Sequence, residues 1–334
     1  MQLYPIRLEP IFREKIWGGR RLASYFDRDL PSDRTYGESW NVVDRESDHI
    51  SKISNGPHKD KNLKELIQLD QNAVLGEERN LDAFGRFPLM VKFLHAHENL
   101  SLQVHPGDEY AQLNENDSGK LEAWYILEAD EDARVIRGIL PDVNQEEFVE
   151  AIRAGQPMDV LNCIDVRPGD VILIPPGIIH SIGGDVLLCE IEQNSDVTYR
   201  LHDWNRLGPD GSSRELHLDQ AMDVIDFQAM GRTRTRSSEM EGPWKNRELL
   251  VRTPVFKLEK IEAEREFTED HPPESYHLIT CISGTGSIDA DASDESPVTY
   301  RRGDTFLIPA RMGDYTLNPD QESTLLKTTP SKQY

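Results

Sequence analysis

A histidine that follows a proline-rich corner raises the first question about chemistry in this chain. Residues 167–182 have the sequence RPGDVILIPPGIIHSI, in which an apolar run meets Pro175 and Pro176 before Gly177 and His180. The prolines end the hydrogen bonding of a strand, and Gly177 permits a backbone conformation that larger residues avoid. We therefore expect the corner to turn the next strand so that His180 points inward as a metal ligand, although a single histidine is more often structural.

Further donors lie on two strand-like segments upstream. In the segment SLQVHP, the period of two puts three polar side chains on one face: Ser101, Gln103 and His105. In KLEAWY, the same period pairs Lys120 with Glu122. With His180, these segments offer two imidazole nitrogens and two side-chain oxygens, a set that suits an open Zn²⁺ site, although Mn²⁺, Co²⁺ or Fe²⁺ could also occupy it. The alternative is that Gln103 and Glu122 are merely solvated strand residues.

Composition limits the classes of partner. The 334 residues include 37 basic and 60 acidic side chains, for a net charge of -23, and 37% of the residues are hydrophobic. This length suits roughly two domains with a buried core. The negative field and the lack of a large basic cluster argue against binding to nucleic acid or to anionic membranes. A small phosphorylated substrate stays possible, because two or three cations in a pocket are enough to bind it.

Targeting and cysteine patterns point to the cytoplasm. The segment MQLYPIRLEP lacks the pattern of a signal peptide, and the most apolar segment, VILIPPGII, is too short to span a bilayer. Cys163, Cys189 and Cys281 are widely spaced and form no CxxC pair. We expect reduced and mostly buried thiols in a cytoplasmic protein.

Short apolar runs bounded by Gly, Pro and Asp predict a strand-rich protein. Eight segments carry this pattern: FPLMVKFLHA, NLSLQVHP, AWYIL, DVILIPP, DVLLCEIEQ, VFKLEKIEA, SYHLITCISG and DTFLIPA. Helical patterns occur only at 61–70, at 144–155, where Gly155 marks the end, and at 214–225. The polar stretch 231–249 is the best candidate for a linker. We therefore predict two domains, the catalytic one at residues 1–240 and a second at residues 250–334.

Two segments share one sequence frame. Residues 167–182 and 301–317 both place a glycine six positions before a proline. In the second copy, however, Arg311 replaces the turn glycine and Asp314 stands where the first copy has His180. This indicates that one copy retains a ligand that the other has lost, and that the second domain is free of metal.

The pattern G-x5-P-x-G-x2-H resembles the second motif of the cupin superfamily. The resemblance implies a mainly β fold with two jelly-roll-like cupin barrels and a few accessory helices. A longer series of motifs, in order from about residue 10 to residue 220, resembles the type I mannose-6-phosphate isomerases of the shorter bacterial form. The motifs are IFREKIWGGRRL, YGESWNV, FPLMVKFLHAHENLSLQVHP, GKLEAWYIL, IPPGIIHSI and CEIEQNSDVTYRLHDWNR.

This resemblance implies an activity and a set of site residues. The family interconverts mannose 6-phosphate and fructose 6-phosphate through a cis-enediol and uses one zinc ion per chain. The implied zinc ligands are Gln103, His105, Glu122 and His180. The implied catalytic residues are Arg200, Glu190 and Lys120, and the implied substrate-binding residues are Trp17, Glu38 and Ser101. The implied partner is a small sugar phosphate, bound by a monomer or a weak homo-oligomer.

Several alternatives stay open at this stage. Glu190 is the first candidate for the base, but a histidine or a metal-bound water could serve instead. The long helical insertion of the larger family members is missing, so the cations that bind the phosphate are not identified. A cupin dioxygenase would use Fe²⁺ and usually an H-x-H pair, whereas Gln103 takes the first of those positions. A non-catalytic bicupin that binds sugar phosphates would keep the fold without keeping Arg200, Glu190 and zinc together. In the second domain, His277 is the one obvious ligand type, for which we expect a structural role.

Overall fold

The protein is seen in a computed structural model. The residues that it describes are 1–45, 49–76, 81–208, 210–228, 238–239, 247–290 and 296–331. The β-strands, in chain order, are β1 (Ile6–Glu9), β2 (Ile11–Gly19), β3 (Tyr36–Val42), β4 (Lys52–Ile53), β5 (Leu89–Ala96), β6 (Leu102–Val104), β7 (Glu122–Ala129), β8 (Arg134–Ile139), β9 (Leu161–Asp165), β10 (Val171–Ile174), β11 (His180–Ile182), β12 (Val186–Gln193), β13 (Tyr199–His202), β14 (Ser238–Glu239), β15 (Arg247–Arg252), β16 (Phe256–Ala263), β17 (Phe267–Glu269), β18 (His277–Ser283), β19 (Thr285–Ala290), β20 (Val298–Arg301), β21 (Thr305–Ile308), β22 (Tyr315–Pro319) and β23 (Ser323–Pro330). The α-helices are α1 (Arg21–Tyr25), α2 (Leu63–Leu69), α3 (Gln71–Leu75), α4 (Asp108–Asn114), α5 (Gln145–Arg153) and α6 (Leu218–Val224).

Strands dominate the described chain, which confirms the prediction of a mainly β protein with few helices. The contacts divide the chain into two compact units. The first unit consists of Met1–Ile11, Trp40–Val91 and Thr235–Tyr334, and the second consists of Phe12–Ser39 and Lys92–Arg234. Independently folding domains at 1–240 and 250–334 stay a prediction. Of the predicted linker, residues 231–237 and 240–246 lie outside the described residues.

The second unit contains two sheets. Six strands form one sheet in the order β10-β7-β12-β5-β3-β2, and five form the other in the order β13-β6-β11-β8-β9. An apolar cluster draws side chains from strands of both sheets, including Trp124 of β7, Val135 of β8 and Leu188 of β12. On the five-stranded sheet, the neighbouring residue Ile136 belongs instead to a separate cluster with Phe148 of α5. Both faces of this sheet are therefore covered, because successive side chains in a strand point to opposite faces.

The first unit is also built from two sheets. Eight strands follow the order β14-β15-β16-β23-β18-β21-β1-β4, and four follow the order β17-β22-β19-β20. Its apolar cluster combines residues such as Phe306 of β21, Leu325 of β23 and Leu317 of β22. Strands of both sheets therefore supply the apolar core of this unit.

The sequence repeat has a matching backbone in the two units. Gly169 has a φ of 91° and Gly303 a φ of 88°. The amide of Gly169 donates to Ile126 O at 2.8 Å, and that of Gly303 donates to Cys281 O at the same distance. These hydrogen bonds fasten equivalent turns to β7 and β18, so the frame seen in the sequence is a structural repeat.

The two copies differ at the corner that follows. Gly177 has a φ of 83°, which confirms the expected left-handed corner before His180, whereas the positive φ of the second copy falls at Gly313. A side chain at Gly177 would have its Cβ 2.9 Å from Val224 O. In the second copy, Asp314 Oδ1 accepts a hydrogen bond from the His271 amide at 2.8 Å.

The helices predicted at 61–70, 144–155 and 214–225 correspond to α2, α5 and α6. The helix α5 begins with a capping box, in which the Asn144 side chain accepts from Glu147 N and the Glu147 side chain accepts from Asn144 N. The sequence analysis missed α1, α3 and α4, which have 5 to 7 residues. The five-residue helices α1 and α3 are too short to show a clear helical period. Among the described residues, no helix is long and apolar enough to cross a membrane.

Candidate metal centre

Neighbouring strands of the second unit carry the predicted metal ligands. Gln103 lies on β6 and pairs directly with His180, the first residue of β11. His105 follows β6, and its carbonyl oxygen accepts a hydrogen bond from the Gly177 amide at 2.9 Å. Glu122 begins β7 in the facing sheet. This hydrogen bond fixes the glycine corner to the residue that follows β6, and the corner holds His180 beside Gln103.

The structure brings all four of these side chains together. His105 Nε2 lies 3.2 Å from Glu122 Oε1, and His180 Nε2 lies 3.6 Å from Glu122 Oε2. The carboxamide nitrogen of Gln103 lies 3.2 Å from His180 Nε2. The two imidazole rings and the carboxylate are buried, with exposures of 1% or less.

Backbone hydrogen bonds set the tautomer of both histidines. The Nδ1 atom of His105 lies 2.7 Å from Val197 O, and that of His180 lies 2.8 Å from Ile178 O. A carbonyl oxygen accepts a hydrogen bond only from a nitrogen that carries a proton. Each ring therefore donates from Nδ1 and keeps a lone pair on Nε2. A histidine that binds a metal through Nε2 usually donates from Nδ1 to a carbonyl oxygen in this way.

The charge states of the two histidines and Glu122 favour a bound cation. Burial lowers the pKa of His180 to about 3 and also lowers that of His105, so both rings are neutral near pH 7. Burial works against ionisation of Glu122, but the positive charge of Lys120 holds its pKa well below the usual range. Among the described residues, His105 Nε2 and Glu122 Oε2 have no hydrogen-bond partner. Lone pairs of neutral rings thus face a carboxylate, and a divalent ion fits this donor set.

The carboxamide of Gln103 can present its oxygen to such an ion. Ser101 Oγ donates to Gln103 Oε1 at 3.3 Å, on the side away from His180. A half-turn of the amide exchanges its oxygen and nitrogen, after which the nitrogen donates to Ser101 Oγ and the oxygen faces His180. Ser101 is therefore placed to orient the amide in either state.

A row of buried lysine and glutamate side chains, alternating in charge, extends from the candidate metal centre. Lys120 Nζ lies 2.8 Å from Glu122 Oε1 and 2.9 Å from Glu192 Oε2. Lys92 pairs in turn with Glu192 and lies 3.8 Å from Glu190 Oε2. Burial opposes the charged form of Lys120, but Glu122 and Glu192 raise its pKa well above the ordinary value. Lys120 is therefore a fixed positive charge beside the carboxylate of the centre.

Glu190 lies one strand away from the centre, on β12. Its Oε1 accepts a hydrogen bond from Trp124 Nε1 at 2.8 Å, and the Trp124 ring meets the His180 ring edge to face at 5.6 Å. Burial, followed by the charges of Glu192 and Glu122, raises the pKa of Glu190 well above its ordinary value. This carboxyl group is therefore able to hold a proton at a pH where an exposed glutamate would not.

Two arginines flank the row of ligands on the five-stranded sheet. Arg200 on β13 pairs with Gln103 on one side, and Arg137 on β8 pairs with His180 on the other. Arg200 Nη1 donates to Glu215 O at 2.8 Å, while its buried Nε has no hydrogen-bond partner among the residues described here. Arg137 Nε donates to Leu173 O at 2.9 Å. Both guanidinium groups therefore stand on strands next to the predicted ligands.

The remaining predicted substrate residues have different surroundings. Trp17 is 3% exposed and belongs to the apolar cluster of the unit. Glu38 is 9% exposed and pairs with Lys15 at 3.2 Å. Ser101 contacts Gln103 as described above. Their contact with a substrate stays a prediction.

Sequence reasoning missed Lys92, Arg137 and Trp124. Lys92 and Arg137 each interrupt an apolar strand, in LMVKFLHA and RVIRGI. A charged residue on a buried strand is rarely found without a partner, so these interruptions were a usable signal. The indole of Trp124 gave no such signal, because tryptophan is common in apolar cores.

This is a mainly β protein with a candidate centre for a divalent metal. The centre consists of imidazole, carboxylate and carboxamide donors. Residues 6–124 match the family model described as the catalytic domain of phosphomannose isomerase type I. The mannose-6-phosphate isomerase ManA of Bacillus subtilis is 34% identical over 95% of this chain and 96% of its own. The enzyme of Streptococcus mutans is 32% identical with the same coverage.

A solved structure gives the same result. The crystal structure of the mannose 6-phosphate isomerase from Bacillus subtilis covers 97% of this chain and 99% of its own, with a TM-score of 0.86 and 32% identity. The chain therefore belongs to the type I phosphomannose isomerase family, and it is an isomerase. The family resemblance predicted from the motifs is confirmed.

Proposed function

We propose that this protein is a zinc-dependent aldose-ketose isomerase that interconverts mannose 6-phosphate and fructose 6-phosphate through a cis-enediol. The observation that carries the proposal is the convergence of His105 Nε2 and His180 Nε2 on Glu122, in a chain of this family. The substrate assignment draws on the names of relatives that match this chain along nearly its whole length.

The metal ligands in this proposal are Gln103, His105, Glu122 and His180. Two imidazoles with two oxygen donors suit Zn²⁺, whereas Mg²⁺ and Ca²⁺ prefer sets made only of oxygen donors. One ion per chain would polarise the sugar carbonyl as a Lewis acid without changing its own redox state. Lys120 holds the Glu122 carboxylate in its charged form, as a ligand must be.

The chain's own residues perform the proton transfer between C1 and C2. Glu190 is the candidate base, because its raised pKa and its hydrogen bond to Trp124 suit a carboxyl group that gains and loses a proton. Arg200 and Lys120 would stabilise negative charge that develops on the sugar oxygens. Trp17, Glu38 and Ser101 form the proposed wall of the substrate site.

Two arginines near the ligand row are the candidates for binding the phosphate. Arg200 and Arg137 lie on the strands on either side of Gln103 and His180. A guanidinium binds phosphate through two parallel hydrogen bonds, and one or two guanidinium groups are enough to bind a small phosphorylated substrate. A phosphorylated sugar is therefore compatible with a protein whose overall charge is strongly negative.

We propose two cupin barrels as the scaffold, with a catalytic domain at 1–240 and a degenerate one at 250–334. The equivalent turns at Gly169 and Gly303 support two copies of one frame. In the second copy, His277 pairs with Ile308 as Glu122 pairs with Ile174, so His277 occupies the position of Glu122. Its Nδ1 lies 3.1 Å from Tyr315 Oη, which supports a structural role.

A coupled assay for fructose 6-phosphate, run together with metal analysis, tests the proposal. We expect the purified protein to convert mannose 6-phosphate, to lose this activity to a chelator and to regain it with Zn²⁺. A matched variant pair is His180→Ala, which removes a ligand, and His58→Ala, which removes a histidine of the first unit. A protein that binds the sugar phosphate without converting it would instead be the non-catalytic bicupin.

A further inference from the structure

A second group of metal-type donors lies in the same unit but outside the centre described above. His95 is on β5, His97 follows that strand, and Asp185 lies in the turn before β12. One donor atom from each residue lies within 4.8 Å of the other two. His97 Nδ1 and Asp185 Oδ1 are 3.2 Å apart. None of these residues has a part in the proposed isomerase reaction.

His95 is the unusual member of this group. Its side chain is 2% exposed, yet neither ring nitrogen has a hydrogen-bond partner among the residues that the structure describes. A buried imidazole ordinarily satisfies both nitrogens, because one is a donor and the other an acceptor that water can no longer reach. A metal bond would satisfy one of these two ring nitrogens, since the neutral ring is the form that binds metal.

The ring of His95 is also held in place. A Cβ atom at Gly19 would lie 2.4 Å from His95 Cε1 and 2.9 Å from His97 Cβ. Only glycine therefore fits at this position, and its backbone packs against the ring of His95. The amide of His97 donates to Trp17 O at 3.0 Å, which anchors the end of β5 on the same neighbouring segment.

The third donor is presented by a tight turn that is fastened to the segment after β5. The Gly184 amide donates to Asn99 Oδ1 at 2.9 Å, and the Leu100 amide donates to Ile182 O at 2.9 Å. Asp185 has a φ of 57°, a left-handed conformation that aspartate and asparagine tolerate better than most residues. The turn therefore places the Asp185 carboxylate beside His97 without relying on a long flexible loop.

The local charge favours a cation, although one arginine opposes it. Arg21 donates to Asp130 Oδ1 at 2.6 Å and to the Asp185 carbonyl oxygen at 3.3 Å. Its guanidinium is thus bound to another carboxylate and to a backbone oxygen, which leaves the Asp185 side chain for His97. Two carboxylates surround one guanidinium, so the region keeps a net negative charge.

We propose that His95, His97 and Asp185 form a second site for a divalent transition metal, occupied by Zn²⁺ with water completing the coordination. Two imidazoles and one carboxylate are a donor set that zinc accepts when one position stays open. The side chains of His97 and Asp185 are 59% and 41% exposed, so the ion enters directly from solvent. The site has one protein donor fewer than the buried centre, and it therefore binds more weakly.

Calorimetric titration of the purified, metal-loaded protein with ZnCl₂ tests this proposal. We expect the wild type to take up one further equivalent per chain. His97→Ala removes a ligand and abolishes this uptake, while Asp185→Asn keeps the turn and weakens the affinity at least tenfold. Glu98→Gln, an exposed neighbour in the same segment, leaves the titration unchanged. In a parallel NMR experiment, the ring nitrogens of His95 and His97 shift on adding Zn²⁺.

The outcomes separate this site from the isomerase centre. His97→Ala retains the metal of the buried centre and its conversion of mannose 6-phosphate. A wild-type protein that takes up no further equivalent overturns the proposal, as does a further equivalent that survives in both His97→Ala and Asp185→Asn. If mannose 6-phosphate is not converted while the second equivalent still depends on His97, the proposed function fails and this site stands.

Discussion

Replacing Arg200 with alanine separates catalysis from folding in this protein. Within the described part of the chain, the Arg200 side chain makes one hydrogen bond, from Nη1 to Glu215 O at 2.8 Å, and its buried Nε has no hydrogen-bond partner. Losing one such bond costs about 1 kcal/mol of stability. The backbone amide of Arg200 donates to His217 Nδ1 and is unaffected by the change. The variant should therefore fold.

The expected effect on the reaction is much larger. If the guanidinium stabilises charge that develops on the sugar oxygens, its loss lowers kcat by roughly 10²–10³, or about 2.7–4 kcal/mol in transition-state free energy. The assay is steady-state kinetics with mannose 6-phosphate, accompanied by metal analysis of the same sample. Arg134→Ala serves as the matched control, because Arg134 lies on the same sheet in an exposed pair with Asp165.

The ratio of kinetic constants decides between two roles for Arg200. A rise in KM with an unchanged kcat would assign the guanidinium to uniform binding of the phosphate. Kinetics like those of the wild type, in a folded and metal-loaded Arg200→Ala protein, would refute both roles. We expect the loss in kcat, with the metal content unchanged.

Further predictions concern the metal and the corner that positions it. His180→Ala should sharply lower the metal content as purified, measured by mass spectrometry of the metal, and full occupancy would contradict the ligand assignment. Gly177→Ala should destabilise the protein by about 1–3 kcal/mol in urea unfolding, because it strains a left-handed residue against a backbone oxygen; an unchanged midpoint would argue against this strain. The double variant His180→Ala, His97→Ala should retain no tightly bound metal, and any ion that remains would point to the first unit.

The strands and helices that could be predicted from the sequence are those that show a pattern in consecutive residues. Short apolar runs bounded by Gly and Pro anticipated β5, β7, β10, β12 and β18, because a strand's side-chain alternation is written in consecutive residues. Asn144 and Gly155 likewise mark the limits of α5. The five-residue helix α1 escaped prediction, since it is too short for a hydrophobic period.

The grouping of segments depends on contacts that sequence order does not contain. Residues 1–11 and 40–91 join the carboxy-terminal segment in one compact unit, although more than a hundred residues separate them from it. Strand β1 pairs with β21, nearly three hundred residues away. Such pairings follow from the packing of complementary faces, which no local pattern specifies.

The sequence by itself determined the donor types, their alternation along strands and the glycine corner before His180, because these depend on neighbours in the chain. Only the tertiary structure decided that His105 and His180 both turn Nε2 toward Glu122, because Glu122 lies on a strand of the facing sheet. Burial, which shifts their pKa values, is likewise a property of the packed sheets. The same packing buries His95 with no hydrogen-bond partner for its ring in the described part of the chain, a feature that the sequence does not reveal.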